Sequence, residues 1–265
     1  MDEEDGDREP SDPSELESWF DDVGAPAKTL RFLTSASFPL SPNYIPPKGG
    51  DGKGLTQAAG ARGRGRPSVL DLGTGNGSAL FSLRLEGGYL GRMVGVDYSV
   101  RSVELAQRLW KQYPSSMSST LETSGEVEFE VFDVIHDDPT SQPWWPQPTS
   151  NTCAPRGGGF DLVLDKGTFD AISLSSSTAI IRSPDNSCSK SLRICELYPS
   201  KVAVMVKPGG FFLITSCNWT EEEVVAWFTR EGEFEVYNRI QYPVFEFAGQ
   251  KGQGVASVCF RRLEK

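Results

Sequence analysis

The chain has 265 residues, of which 38% are hydrophobic and 11% aromatic, so its length and composition suit one α/β domain with a sizeable core. It contains no run of about 18 apolar residues. Its acidic first residues differ from the basic start of a signal peptide. These features argue against membrane insertion and secretion, and they predict a cytoplasmic protein with the nucleus as a further location.

The cysteines and histidine give no sign of a metal site. The five cysteines are odd in number and form no C-x-x-C pair, and His136 is the only histidine. Scattered cysteines of this kind are typical of a reducing compartment. The sequence therefore predicts no metal cofactor. Cys217 and Cys259 lie in apolar, strand-like runs and are predicted to pack in the core.

The formal net charge of −10 is concentrated at the amino terminus, where residues 1–24 carry eleven acidic residues and the single base Arg8. The rest of the chain is balanced, which leaves no overall positive field to attract nucleic acid. Residues 1–24 are predicted to form an acidic disordered tail. Residues 25–67 are predicted to be an N-terminal extension with a basic Gly/Arg-rich linker, for which contact with RNA or an acidic partner is the alternative interpretation.

From Ser68 onward, short apolar runs alternate with segments of helical period, a pattern typical of a parallel sheet flanked by helices. In chain order, the predicted elements are strand 69–72, helix 79–85, strand 93–97, helix 102–112, strands 127–132 and 160–165, helix 192–206, strand 211–215, helix 220–229, and strands 234–242 and 255–260. The sequence thus predicts a doubly wound, seven-strand, mostly parallel α/β sheet with helices on both faces and an antiparallel last strand. This domain spans residues 68–265, with loop insertions at 140–159 and 173–190.

A glycine-rich turn follows the first predicted strand and carries Asp71, Gly73, Gly75, Asn76 and Gly77. Glycines at such a turn let the backbone approach a bound ligand closely. The pattern departs from the dinucleotide fingerprint, because Ser78 stands where the third glycine belongs. The carboxylate of Asp71 would repel a pyrophosphate but attract the cationic amino group or sulfonium of S-adenosylmethionine. The turn therefore favours the methyl donor over NAD.

Two further acids are placed to bind the same ligand. Asp97 ends the second strand, where a carboxylate can accept both ribose hydroxyls. Its neighbour Tyr98 can lie against the adenine face. Asp133, followed by Val134 at the end of the third strand, can offer a carboxylate to the adenine amino group.

These elements resemble the class I, seven-strand S-adenosylmethionine-dependent methyltransferases. More narrowly, residues 165–174 (DKGTFDAISL) and 212–220 (FLITSCNWT) resemble the translation elongation factor 1-alpha lysine methyltransferases, and the similarity covers about residues 68–260. Residues 245–249 also fit this family. Residues 17–20 are similar to its short Trp-Phe segment, which implies that Trp19 lies over the cofactor. The family's aromatic Tyr-Trp-Asp helix has no counterpart before Trp19.

The resemblance implies a protein-lysine N-methyltransferase that converts S-adenosylmethionine to S-adenosylhomocysteine and acts on elongation factor 1-alpha. We expect Asp165 and Thr168 to position the substrate, and Asp165 also to contact the cofactor amino group. Phe169, Asn218 and Trp219 are candidate walls of the lysine channel, with packing in the core as the alternative for Phe169 and Trp219.

Other functions stay open at this point. Pocket residues alone do not fix the size of the substrate, so small-molecule methylation is the alternative enzymatic function. A non-catalytic binding protein with the same fold is the alternative of a different class. We expect a monomer that contacts neither membrane nor nucleic acid.

Overall fold

The computed structural model describes residues 20, 22–47, 66–113, 125–146, 158–182, 189–247 and 250–264. Its strands are β1 (Val69–Leu72), β2 (Met93–Asp97), β3 (Val127–Val131), β4 (Phe160–Lys166), β5 (Thr178–Arg182), β6 (Ser189–Arg193), β7 (Val206–Ser216), β8 (Phe234–Ile240), β9 (Val244–Phe247), β10 (Gln250–Gln253) and β11 (Ala256–Arg262). Its helices are α1 (Ala25–Leu33), α2 (Ser78–Leu85), α3 (Val100–Gln112), α4 (Thr168–Ser173), α5 (Ile194–Met205) and α6 (Glu221–Thr229), with a 3₁₀ turn at Pro139–Ser141.

Seven strands form the central sheet, in the order β3-β2-β1-β4-β7-β11-β8. The contacts from β3 through β7 are parallel, whereas β11 runs antiparallel to both β7 and β8. The predicted doubly wound sheet with an antiparallel last strand is confirmed. Parallel neighbours bring their carboxyl ends to one edge of the sheet, which is where such folds bind ligands.

Alternate residues of the central strands pack on opposite faces of the sheet, as strand geometry requires. Leu70 and Leu72 belong to a core that also contains Tyr198 of α5 and Phe228 of α6. Their neighbour Val69 belongs to a second core, with Leu33 of α1, Leu83 of α2 and Val103 of α3. Helices therefore cover both faces, which explains why the central strands are apolar throughout.

Side-chain caps fix the starts of two of these helices. The hydroxyl of Ser99 accepts a hydrogen bond from Ser102 N at the start of α3. Thr220 and Glu223 form a capping box at the start of α6, in which each side chain bonds the other residue's backbone. α6 begins within one residue of the predicted helix start, whereas α3 begins at Val100, two residues before the predicted one.

The amino-terminal extension packs against the domain. Leu33 and Phe38 are fully buried in the second core, and the ring of Phe38 lies 5.1 Å from that of Phe211 in β7. Residues 25–45 thus belong to the domain body, which begins well before the predicted boundary at residue 68. Phe20, within the predicted disordered tail of residues 1–24, is also buried in this core, so the end of that segment packs on the domain. The rest of the tail through residue 19, most of the basic linker and parts of both predicted insertions lie outside the described residues.

Two small hairpins supplement the sheet. β5 lies in the stretch predicted as a loop insertion at 173–190, and it pairs antiparallel with β6, which runs on to Arg193. β9 pairs with β10 close to β11. Neither hairpin was predicted, because two short strands carry too little periodicity to identify. Among the described helices, none is both long enough and apolar enough to cross a membrane.

One of the two cysteine predictions is wrong. Cys259 is fully buried, as expected, but Cys217 is exposed. β7 ends at Ser216, one residue past the predicted end of this strand, and Cys217 follows it outside the sheet. The backbone N–H of Cys217 then donates to Asp170 Oδ2 at 2.8 Å as the chain turns away.

Polar side chains join the amino ends of β1 and β4. The backbone N–H and the hydroxyl of Ser68 donate to Asp161 Oδ2 at 2.8 and 2.7 Å. Lys207 Nζ lies 3.0 Å from the same oxygen. This cluster fixes the register of the central strand pair at the edge opposite the ligand-binding one.

Candidate active site

A groove of about 560 Å³ lies at the carboxyl ends of β1, β2 and β3. This volume falls within the range of small-molecule sites. The groove brings together most residues that the sequence assigns to the cofactor: Asp71, Gly73, Gly75, Asn76, Asp97, Tyr98, Asp133 and Val134. Gly77 and Asp165 do not line it, and Trp19 lies outside the described residues.

Two glycines of the turn have different roles. Gly73 has φ +65°, and a Cβ there would overlap the hydroxyl of Thr168. Gly75 has φ +56°, and nothing lies within 4 Å of the position that its Cβ would take. Gly73 therefore allows close packing, whereas Gly75 leaves open space beside the groove. Asn76 supports the turn locally, because its Oδ1 accepts from Ser78 N at the start of α2.

Asp97 is a buried acid whose orientation the backbone fixes. Its Oδ2 accepts from Gly75 N at 3.0 Å, and its Oδ1 accepts from Ser99 N at 2.9 Å. Only 8% of the residue is exposed. Each carboxylate oxygen can accept a second hydrogen bond, so the groove presents two fixed acceptors to a ligand with neighbouring hydroxyls.

Asp71 is a second buried acid, and it borders both the groove and a further cavity. Its Oδ2 accepts from the hydroxyl of Thr74 at 2.7 Å. Burial raises the pKa of Asp71 to about 6, against the lowering effects of Thr74 and of the positive Lys166. A cationic ligand would offset the cost of burying this carboxylate.

At the far end of the groove, the predicted cofactor-binding side chains are exposed or hydrogen-bonded within their own turn. Tyr98 is 79% exposed and lies at the rim. The carboxylate of Asp133 accepts from the backbone of Ile135 and His136 and lies 2.9 Å from His136 Nδ1. The side chain of Asp133 therefore supports its own turn, and Val134 is buried beside it.

Asp165 borders the further cavity and not the groove, and donors of the protein itself hold its carboxylate. It accepts from Thr168 N at 2.8 Å, from Phe169 N at 3.1 Å and from the hydroxyl of Tyr198 at 2.7 Å. Burial raises the pKa of Asp165 to about 7. The first backbone N–H groups of α4 need an acceptor, and this acid supplies it; its contacts with substrate and with the cofactor amino group stay predictions.

Thr168 is likewise structural. Its hydroxyl donates to the carbonyl of Leu72 at 2.7 Å and so ties the start of α4 to the glycine turn. Although Thr168 borders the groove, its donor is already used. This contact joins two parts of the site, and a role of Thr168 in positioning substrate stays a prediction.

The three residues predicted to wall the lysine channel lie in different surroundings, and the channel stays a prediction. Phe169 is fully buried and stacks between Tyr198 at 5.4 Å and Trp219 at 5.8 Å. It is a core residue, which was the alternative interpretation. Trp219 is part of this stack, and Asn218 is exposed. None of Phe169, Asn218 and Trp219 borders the groove or the further cavity.

That further cavity, here called the α1 cavity, has a volume of about 200 Å³ and lies between α1, α2 and the carboxyl ends of β1, β4 and β7. It shares four residues with the groove: Asp71, Ser78, Ala79 and Lys166. The sequence analysis missed both this cavity and the place of Lys166 in it. Lys166 follows Asp165 at the end of β4, a signal that could have identified it.

The segment predicted to lie over the cofactor reaches this region. Phe20 is buried and has a left-handed φ of 73°. Lys166 Nζ lies 5.9 Å from the centroid of its ring. The chain next to Trp19 therefore packs beside a residue that the two cavities share. Within the described ranges, no three His, Cys, Asp or Glu side chains cluster as metal ligands.

Comparison with known proteins identifies the family. Residues 66–249 match the methyltransferase domain family. The protein-lysine N-methyltransferase efm4 of Schizosaccharomyces pombe is 38% identical over 197 residues, which cover 73% of this chain and 68% of that protein. The protein-lysine N-methyltransferase EFM4 of Saccharomyces cerevisiae is 31% identical over 255 residues, covering 96% and 85%. The chain belongs to this protein-lysine N-methyltransferase family.

A human relative has the same named activity. The EEF1A lysine methyltransferase 2 of Homo sapiens is 33% identical over 198 residues, which cover 74% of this chain and 66% of that protein. For a protein-lysine methyltransferase, the groove has the features that a methyl-donor cofactor requires: a glycine turn open at Gly75, fixed acceptors on Asp97 and a buried acid at Asp71. The residues present thus fit S-adenosylmethionine.

Proposed function

We propose that this protein is an S-adenosylmethionine-dependent protein-lysine N-methyltransferase whose substrate is a lysine of elongation factor 1-alpha. The carrying observation is the groove, in which two buried acids flank an open glycine turn. The substrate assignment draws on the human relative, whose name specifies EEF1A. A cytoplasmic location and a monomeric state stay predictions from the sequence.

In this proposal, Asp97 accepts hydrogen bonds from the ribose hydroxyls, and Gly75 and Ser99 hold its carboxylate in place for that task. Asp71 attracts the positively charged amino group of the cofactor. Bound S-adenosylmethionine supplies an activated methyl group on a sulfonium. Tyr98, at the rim, offers an exposed ring against the adenine.

Methyl transfer to an amine is an in-line displacement, so the protein contributes mainly by positioning the two reactants. The acceptor lysine must be neutral, yet its ordinary pKa is about 10.4. Removal from water and a nearby positive charge both lower the pKa of an amine. Lys166 provides such a charge at the edge of the groove. No general base is required, and the buried Asp165 does not serve as one.

The direct test is transfer of labelled methyl from S-adenosylmethionine to purified elongation factor 1-alpha. The wild-type protein should label it, and Asp71→Ala should lose the label. Glu231→Gln, at an exposed acid outside the groove, is the matched control and should match wild type. Label on another lysate protein alone would discard the proposed substrate, and label on small molecules alone would favour the small-molecule alternative. An absence of cofactor binding would favour a non-catalytic role.

A further inference from the structure

The α1 cavity differs from the groove beside it in size and in the elements that line it. Its walls come from α1, α2 and the sheet, and they include Leu30, Leu33, Leu83, Leu164 and Leu213 together with the charged Asp71, Asp165 and Lys166. The groove is lined by acids, glycines and hydroxyl side chains and also by apolar side chains such as Phe132 and Ile172. A cavity of about 200 Å³ with leucine walls and a charged end suits a slim hydrocarbon chain with a polar tip rather than a whole nucleoside.

The two cavities meet at Asp71 and Lys166, which border both. Under the proposed function, Asp97 binds the ribose and Asp71 binds the amino-acid end of the cofactor. The sulfonium joins these two parts of the ligand, so its methyl group lies toward the junction. A chain that fills the α1 cavity would then end beside the group that is transferred.

Partly exposed residues of α1 mark the entrance to the cavity. Pro26, Thr29 and Leu30 are half-buried, whereas Leu33 and Leu83 are buried at 0% and 2% exposure. A side chain of another protein can therefore enter past α1 while its tip becomes shielded from water. This decrease in solvent exposure from the entrance inward suits an acceptor lysine, because loss of water lowers the pKa of its amine.

We propose, resting on the proposed function, that the α1 cavity receives the side chain of the acceptor lysine. The methylenes of the lysine lie along Leu30, Leu83 and Leu213, and its amine reaches the junction at Asp71 and Lys166. There the neutral amine nitrogen forms a bond to the methyl carbon, the carbon–sulfur bond breaks, and S-adenosylhomocysteine leaves as the neutral thioether. The methylated amine then loses one proton to solvent.

Filling the cavity from either wall tests the proposal. Ser82 and Thr29 line the α1 cavity but not the groove. Ser82→Phe and Thr29→Phe should each lower kcat/KM for elongation factor 1-alpha by at least about tenfold. The dissociation constant for S-adenosylhomocysteine, measured by calorimetry, should stay within about twofold. Two variants from opposite walls guard against one that fails to fold.

Ala27→Phe is the matched control, because Ala27 is an exposed residue of α1 outside the cavity. It should keep wild-type kinetics. Wild-type transfer by both cavity-filling variants would overturn the acceptor assignment alone. Weaker binding of S-adenosylhomocysteine by folded variants would overturn it too, since the cavity would then belong to the cofactor site. A wild-type protein that transfers no methyl would instead count against the proposed function itself.

Discussion

Acidic side chains stand at two places along the same edge of the sheet and differ in what they border. Asp71 and Asp97, at the ends of β1 and β2, border the groove. Asp165 and Asp170, in and just after β4, do not, and they accept from backbone and hydroxyl groups of the protein. All four are buried. Each of the four is held by donors of the protein, so it is the open space beside Asp71 and Asp97 that marks them as cofactor-binding acids.

The largest effect should come from replacing Asp165, whose carboxylate accepts from three donors of the protein. Asp165→Ala removes the acceptor for Thr168 N, Phe169 N and the Tyr198 hydroxyl. Buried donors left without partners cost about 1–3 kcal/mol each, so the free energy of unfolding should fall by at least about 3 kcal/mol. Urea unfolding followed by circular dichroism measures this loss. A variant that keeps its stability and loses only activity would show instead that Asp165 acts on the substrate.

Asp97→Ala should show the reverse pattern. The variant should fold, because its two backbone partners lie at the groove, where water can replace the carboxylate. Binding of S-adenosylhomocysteine should weaken by at least about 30-fold, since hydrogen bonds to a charged acceptor are worth about 1.5–3 kcal/mol each. Calorimetry on the folded variant measures this. An unchanged affinity would remove Asp97 from the proposed cofactor site.

The pKa of Asp71 makes cofactor affinity depend on pH. Burial raises this pKa to about 6, so the carboxylate that attracts a cation is present above pH 6 and is lost as the pH falls below it. Affinity for S-adenosylmethionine should drop by up to about tenfold per pH unit below pH 6. Asp71→Asn should bind weakly at every pH, with a flat profile. A wild-type profile that stays flat down to pH 5 would contradict this role.

The smallest effect tests the charge at the junction of the cavities. Lys166→Gln removes a positive charge that would lower the pKa of the acceptor amine. The rising limb of kcat against pH should therefore move to higher pH. A shift of about half a pH unit to one unit is expected for a single nearby charge. Lys166→Arg should restore the wild-type position, because it keeps the charge. A merely structural Lys166 would change kcat without moving the limb.

The parts of the molecule that could be predicted share one property. The succession of strands and helices along the chain follows from apolar runs and helical periods, and the turn at Gly73 and Gly75 follows from a backbone conformation that other residues rarely adopt. Both depend on local chemistry that the sequence displays directly. For this reason the seven-strand fold was confirmed, and the residues predicted around the glycine turn come together in one groove.

The surroundings of individual side chains could not be predicted in the same way. Asp165 has the sequence position of a ligand-binding acid, but α4 starts three residues later and the first N–H groups of that helix donate to the carboxylate. Phe169 has the sequence position of a channel wall, but Tyr198, from a helix distant in sequence, stacks on its ring. The α1 cavity needs α1, whose packing the sequence gives no means to foresee. Long-range packing, which a local pattern does not contain, decides all three.

The two ends of the β1–β4 pair also bear on how the chain folds. Ser68 donates a hydrogen bond to Asp161 at the amino end, and Thr168 donates one to Leu72 at the carboxyl end. Both hydrogen bonds join residues more than 90 positions apart in sequence. Closing such a long loop costs entropy before any contact repays it. During synthesis, the centre of the sheet cannot close until β4 and the start of α4 have left the ribosome. The first half of the chain must wait with its apolar β1 uncovered on one side, and this is the stage at which a chaperone would be most useful.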